Sequence, residues 1–140
     1  MLFRSAFEPR VNYGVVLLNQ RKYDEAELQL QEALKKNNSS VTGHLYLGIA
    51  LINLKRYQEA EAALQKSIAL GGNKVGQAHY YLGGLYWRAG DYKRAADELE
   101  QYLAVEPKAA NAEKVRATIK DLRVKVGRRV GSYLTQVEIK

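Results

Sequence analysis

Tyr81-Leu82-Gly83-Gly84-Leu85-Tyr86 is the stretch that decides the fold, because its spacing occurs twice more upstream. The glycines that correspond are Gly14, Gly48 and Gly83, and they are separated by 34 and 35 residues. After each glycine a tyrosine, an alanine and a leucine follow at the same distances: Tyr23, Ala26 and Leu30; Tyr57, Ala60 and Leu64; Tyr92, Ala95 and Leu99. This period, with small residues at fixed places inside apolar helical patterns, predicts a repeat array of helix pairs.

The third copy carries the repeat pattern most fully, and its residues are Leu82-Gly83, Tyr86, Ala95, Leu99 and Pro107. In these residues the chain resembles the tetratricopeptide repeat family, whose order is Trp, Leu-Gly, Tyr, Ala, Phe, Ala and Pro. The departures are mild, and the tryptophan position holds three other residues: Arg10, His44 and His79. The resemblance implies an all-α fold, a right-handed α-solenoid of antiparallel helix pairs.

The length of 140 residues suits one domain. We expect a tetratricopeptide repeat domain over residues 1–126, followed by a basic C-terminal tail at 127–140. The domain divides into three repeats and a terminal helix: 7–40, 41–75, 76–109 and 109–126.

The terminal helix is predicted from apolar residues that recur at three- and four-residue spacing: Ala112, Val115, Ile119, Leu122 and Val126. A repeat array needs a terminal element that covers its last apolar face and turns polar residues outward. We therefore interpret this segment as a capping helix. Residues 127–140 have no decisive period, and the sequence leaves open whether they form a tail, a helix or a short strand.

The net charge of +7 is unevenly distributed. Residues 1–107 carry 13 basic and 12 acidic groups, whereas residues 108–140 carry 9 and 3. An electrostatic partner, either nucleic acid or an anionic membrane, is therefore to be sought at the basic C-terminal region. Tyr133 is the one aromatic residue among those charges, so the sequence does not indicate base stacking.

The resemblance also implies a binding surface, because the first helix of each repeat lines a concave groove in this family. The positions that face such a groove give ten candidate residues: Asn12, Val15, Asn19, Tyr46, Ile49, Asn53, Tyr80, Tyr81, Trp87 and Arg88. Their aromatic side chains offer large, fairly rigid contact area, and their amides can pair with a peptide backbone. The alternative is that several of them pack between adjacent helices.

One known subset of the family clamps acidic chaperone tails with lysine, arginine and asparagine at set groove positions. In this sequence those positions hold Val11, Val15, Tyr46, Gln77 and Tyr81. No lysine or arginine is among them, so we expect partners to bind in a mode other than the carboxylate clamp.

Other chemistries find little support in the sequence. His44 and His79 occupy equivalent places in adjacent repeats, but two ligands make a poor metal site, and the absence of cysteine removes thiolate ligands. The serines lie in no nucleophile motif, and the glycines at 71–76 lack the Gly-Lys-Ser/Thr ending of a phosphate-binding loop. We expect no enzyme activity, no metal and no cofactor. Without a signal or membrane-spanning segment, a cytoplasmic location is favoured.

The sequence therefore predicts a protein–protein interaction module that binds a peptide segment or a partner protein in a largely apolar and aromatic groove. Two alternatives stay open. One is a structural spacer or self-association module of a larger protein, and the other is binding of a polyanion through the basic C-terminal region.

Overall fold

A computed structural model describes residues 8–71 and 75–139, and the protein is all-α over that part of the chain. Its seven described helices are α1 (Glu8–Asn19), α2 (Tyr23–Lys36), α3 (Val41–Asn53), α4 (Tyr57–Gly71), α5 (Gly76–Arg88), α6 (Tyr92–Val105) and α7 (Ala112–Ile139). The first six form the three predicted helix pairs. The last begins within the predicted capping segment and continues through residues 127–139, so the segment that the sequence left open is helical.

The chain divides into two compact units, the first ending at Ala78 and the second beginning at His79. The first unit contains α1 to α4. The second contains α5 from His79 onward, α6 and α7.

In the first unit, the two helices of each pair approach each other closely. A Cβ added to Gly14 of α1 would lie 2.8 Å from the side chain of Leu30 on α2, and one added to Gly48 of α3 would lie 2.7 Å from Leu64 on α4. Because a real Cβ does not approach so closely, the crossing requires glycine at both positions. The pairs share a core of Val11, Leu30, Ala33 and Ala50, with Leu18, Tyr46 and Leu47 packed against it.

The turn inside each helix pair has one residue in the left-handed backbone region. These equivalent residues are Arg21 and Lys55, both with φ of 62°, and Gly90 with φ of 80°. Each turn closes with the same two backbone hydrogen bonds, such as those from the amides of Lys55 and Arg56 to Ile52 O and Leu51 O. The short connection inside each helix pair is thus a C-terminal helix cap.

The second unit repeats the close crossing and adds a third layer. A Cβ on Gly83 of α5 would lie 2.9 Å from the side chain of Leu99 on α6. Helix α7 packs against α6, and it buries Val115 and Leu122. This arrangement agrees with the expectation that an amphipathic helix follows the last repeat and covers its apolar side.

Candidate functional site

Helix α5 has two faces of opposite character. Its buried residues include Ala78, His79, Leu82, Gly83, Leu85 and Tyr86, and its exposed residues include Tyr80, Gly84, Trp87 and Arg88. At 100° per residue, the 3.6-residue periodicity places Gly84 opposite the middle of the buried arc, with aromatic residues one turn before and after it. We call Tyr80, Tyr81, Gly84, Trp87 and Arg88 the α5 outer face.

Two large aromatic side chains of the α5 outer face are open to solvent. Trp87 is 53% exposed and Tyr80 is 39% exposed. Tyr81 is half-buried, whereas Arg88 is exposed. This stretch therefore presents the one tryptophan of the chain on a helix whose other side is fully packed.

The orientation of Tyr80 is fixed by other aromatic residues of the second unit. Its ring centroid lies 5.6 Å from that of Tyr81, edge to face, and 5.0 Å from that of Tyr102 on α6. The hydroxyl of Tyr102 donates a hydrogen bond of 2.7 Å to Oδ1 of Asn111, just before α7. Aromatic contacts of this kind stabilise a defined ring geometry. Tyr80 is thus held in place at one edge of the α5 outer face while part of it stays exposed.

The candidate residues of the first unit differ in how much they expose. On α1, Asn12 and Asn19 are exposed and Val15 is half-buried; on α3, Asn53 is exposed and Tyr46 and Ile49 are half-buried. Tyr46 packs against the core of the first unit. The Nδ2 of Asn53 donates to the carbonyl of Ile49, at 2.9 Å, within its own helix. The amides on α1 and α3 are therefore the accessible polar groups among these candidates.

Val11 shows where the family pattern misleads. The pattern assigns this position to the groove, but the side chain is only 4% exposed and belongs to the core between α1, α2 and α3. An apolar side chain at this position is drawn into the core, since burial of a valine removes it from water at a gain of about 1.5 kcal/mol or more.

The two histidines each serve a local contact. Nε2 of His44 lies 2.8 Å from the carbonyl oxygen of Asn38. His79 is buried, and its Nδ1 lies 2.6 Å from Oε2 of Glu98 on α6. The part of the chain that the structure describes contains no cluster of three or more histidine, cysteine or acidic residues arranged to hold a metal ion. The His79–Glu98 contact was not predicted, because only the folded pair brings residues so far apart in sequence together.

Several cations of the basic C-terminal region attach α7 to α6. Arg123 donates to Asp97 at 2.7 Å and to Glu100 at 2.8 Å. The hydrogen bond from Arg123 lowers the pKa of Asp97. Lys125 and Arg129 lie over the ring of Tyr92, at 5.1 Å and 4.7 Å from its centroid. These side chains therefore contribute contacts within the second unit as well as positive charge.

Beside Tyr92 lies a cavity of about 420 Å³. Its lining comes from the turn between α5 and α6 and from α7, and consists of Ala89, Gly90, Asp91, Tyr92, Lys93, Val126 and Arg129. Arg129 closes one side by donating to the carbonyl of Gly90 at 3.1 Å. None of the ten sequence candidates lines this cavity.

Within the described residues, no helix is both long enough and apolar enough to span a lipid bilayer.

Comparison with known proteins identifies the sequence pattern. The profile described as tetratricopeptide repeat matches residues 14–74 and 69–113, which is more than half of the chain. No curated protein matches the sequence.

Solved structures resemble the chain over most of its length. The Arabidopsis OM64 TPR domain aligns with a TM-score of 0.76 and 22% identity, covering 83% of this chain and 95% of its own. The first TPR of Spaghetti (RPAP3), bound to the HSP90 peptide SRMEEVD, gives 0.74 and 20%, covering 84% and 93%. The Yersinia enterocolitica type III secretion chaperone SycD, in complex with a peptide of the translocator YopD, gives 0.76 and 13%, covering 84% and 92%. At these identities the similarity establishes the shared fold.

Proposed function

This chain belongs to the tetratricopeptide repeat family, and we propose that it is an interaction module that binds a peptide segment through the α5 outer face. The candidate residues on α1 and α3 are proposed contacts of the first unit by itself. Family members are protein–protein interaction modules, and two of the similar structures hold peptides. In this chain we assign the main contact to the α5 outer face.

The observation that carries the proposal is the exposure of Trp87 beside Tyr80. Few residue types contribute as much to binding as a tryptophan in the middle of an interface, and truncation of such a residue costs about 2 kcal/mol or more. In the second unit both side chains project from a helix that is otherwise packed, and the ring of Tyr80 is held by Tyr102 before a partner arrives. A rigid aromatic surface binds with little loss of side-chain entropy.

The chemistry of the surface favours an apolar ligand segment. Of the exposed residues of α5, Arg88 alone is charged. The clamp positions hold apolar, aromatic and amide side chains, and one of them, Val11, is in the core. The acidic peptide bound by the RPAP3 domain is therefore a poor guide to the ligand of this chain. We propose a segment, extended or helical, that buries apolar side chains against Trp87 and Tyr80.

A peptide selection tests this function and does not require the natural partner. A phage-displayed library of random peptides is selected on the whole chain, and enriched peptides are titrated against the parent and Trp87→Ala. We expect enriched peptides to be rich in apolar residues and to lose about tenfold or more in affinity with Trp87→Ala.

The matched control is Leu28→Ala on α2, which removes a comparably exposed side chain away from the candidate residues. It should leave the affinity unchanged. If Trp87→Ala binds the enriched peptides as tightly as the parent does, the α5 outer face is not the site.

Self-association is the second candidate, and a specific observation favours it. Tyr13 and Val16 on α1 are 50% and 48% exposed, whereas the equivalent residues of the third repeat, Leu82 and Leu85, are buried. In the second repeat the equivalent Leu47 and Ala50 pack in the core beside α1 and α2. An apolar pair of this kind is suited to contact with another helix pair. Sedimentation of the parent and of Tyr13→Ser at several concentrations tests this function, because a self-associating chain would lose its concentration-dependent mass with the serine.

Polyanion binding through the basic C-terminal region is less favoured. Arg123 is engaged by acidic groups of α6, and Arg129 contacts Tyr92 and Gly90. Steep salt dependence of binding to heparin or nucleic acid would nevertheless support that function.

A further inference from the structure

Gly84 differs from the glycines that let the paired helices approach each other. A Cβ added to Gly14, Gly48 or Gly83 would collide with a leucine of the partner helix. By contrast, apart from the backbone of α5 and the adjacent residues, no heavy atom of the described chain lies within 4 Å of a Cβ added to Gly84. Packing within the chain therefore does not require a glycine at position 84.

Backbone conformation does not require it either. Gly84 lies in the interior of α5, with ordinary helical dihedral angles, and only Gly90 among the described glycines has a positive φ. A glycine inside a helix costs about 0.5–1 kcal/mol relative to alanine. Gly84 therefore destabilises α5, and no packing contact within the second unit requires the glycine.

The missing side chain produces a notch in the middle of the α5 outer face. Tyr80 precedes Gly84 by one turn and Trp87 follows it by one turn, so about 10 Å of helix axis separates the two aromatic residues. Side chains on a helix lean toward its N-terminus, which directs the indole of Trp87 toward the turn that contains Gly84. The space at Gly84 is open all the same. The first two repeats have half-buried branched side chains at the equivalent positions, Val15 and Ile49.

We infer that Gly84 is the specificity-determining position of the proposed peptide-binding surface, where one bulky apolar side chain of the partner segment enters the notch between Tyr80 and Trp87. The inference rests on the proposed function. The aromatic side chains on either side of the notch favour an aliphatic or aromatic occupant, because they offer it a large apolar contact area. The charge of the α5 outer face also favours an apolar occupant over a basic one, since no acidic residue is exposed on α5 to attract a basic ligand.

Size-graded variants at Gly84 test the notch. Gly84→Ala adds a methyl group, and Gly84→Leu fills the space while it keeps the surface apolar and the helix favourable. We expect peptides selected on the parent from the random library to bind Gly84→Ala several-fold more weakly and Gly84→Leu about tenfold or more weakly. Both variants should melt at or above the temperature of the parent, so that lost binding is not lost folding.

The matched control is Gly127→Ala on α7. Gly127 is also an exposed glycine inside a helix, and an added Cβ there meets open space, but it lies on a different helix. Its replacement should raise the melting temperature as Gly84→Ala does and leave the affinity unchanged. A drop in affinity for the control would show that helix rigidity, and not the notch, governs binding.

A double-mutant cycle identifies the peptide side chain that enters the notch at Gly84. Each apolar residue of one selected peptide is replaced by alanine and titrated against the parent and Gly84→Leu. One replacement should weaken binding to the parent but cause little further loss with Gly84→Leu, because the notch is already filled. Additive losses for every residue would overturn the inference.

The two proposals fail in distinguishable ways. If Trp87→Ala abolishes binding while Gly84→Leu binds as the parent does, the peptide-binding function stands and the notch is excluded. If Trp87→Ala has no effect, the α5 outer face itself is excluded.

Discussion

The two faces of α5 differ in packing: one is packed against a neighbouring helix and the other faces solvent. Two adjacent glycines, Gly83 and Gly84, show this difference. Gly83 faces α6, where an added Cβ would lie 2.9 Å from Leu99, whereas Gly84 faces outward into open space. The inner face is determined by close packing, which leaves no room for other residues. At Gly84 the packing of the chain does not constrain the outer face, so a glycine at this position reflects something other than the stability of the unit.

The comparison teaches which face can be read for function. A tryptophan that is 53% exposed keeps more than half of its surface in water, and an exposed glycine inside a helix slightly opposes folding. An account in which both faces serve only to fold the chain would not place these residues together. The predictions below test this contrast, from the largest expected effect to the smallest.

Removal of α7 should disrupt the inner side of the second unit. A chain that ends at Lys108 loses the burial of Val115 and Leu122 and exposes the apolar side of α6. We expect a loss on the order of 5 kcal/mol or aggregation, measured by thermal melting and size-exclusion chromatography. A chain that ends at Arg129 keeps these contacts and serves as the control. A Lys108 chain that is soluble, monomeric and equally stable would refute the capping role of α7.

Exchange of the two glycines for leucine should have opposite outcomes. Gly83→Leu places its side chain against Leu99 and should lower the free energy of unfolding by about 1–3 kcal/mol or more. Gly84→Leu, its neighbour, should fold as stably as the parent because the added atoms enter solvent. Gly48→Leu, against Leu64 in the first unit, should behave like Gly83→Leu. Urea denaturation followed by circular dichroism measures all three, and a Gly83→Leu chain that melts like the parent would contradict the proposed helix register.

Alanine at Gly84 should stabilise the chain slightly. A helix gains about 0.5–1 kcal/mol when an interior glycine becomes alanine and nothing obstructs the methyl group. The same urea denaturation gives the change, and Gly127→Ala provides an independent value for an exposed helix position. A destabilised Gly84→Ala variant would mean that the space above Gly84 is occupied.

The smallest effect concerns pH. Because the hydrogen bond from Arg123 lowers the pKa of Asp97 in the folded chain, the carboxylate stabilises the fold above the ordinary pKa of 3.8, and this contribution is lost as the pH falls through the folded value. Both side chains are more than one third exposed, so we expect about 0.5 kcal/mol. Asp97→Asn should show a weaker fall in melting temperature between neutral pH and the acid limit. An unchanged pH profile would exclude this pair as a contributor.

The sequence predicted the inner face well, for a physical reason. Close helix crossings need small residues at fixed positions, so Gly14, Gly48 and Gly83 carry the spacing that locates the helix pairs. The amphipathic stripe through Leu122 likewise predicted the helix after the last repeat. These features follow from local periodicity, which a sequence displays directly.

The candidate site was less accessible from sequence. Family positions placed Trp87 and Tyr80 on an outer face, but they also placed Val11 there, and this valine is in the core. The network of Tyr80 with Tyr102, and the pairing of His79 with Glu98, depend on neighbours from another helix. The two glycines at 83 and 84 look alike in the sequence, and only the positions of surrounding atoms separate the packed one from the open one.

Fluorine NMR of the single tryptophan tests the central claim most directly. Fluorine-labelled tryptophan at Trp87 gives one resonance, and a peptide from the random library is titrated against it. We predict that the resonance moves and saturates with the dissociation constant that calorimetry gives for the same peptide. We also predict that Gly84→Leu suppresses the resonance shift and weakens the binding measured by calorimetry. A peptide that binds by calorimetry and leaves the resonance of Trp87 unmoved would contradict the assignment of binding to the α5 outer face.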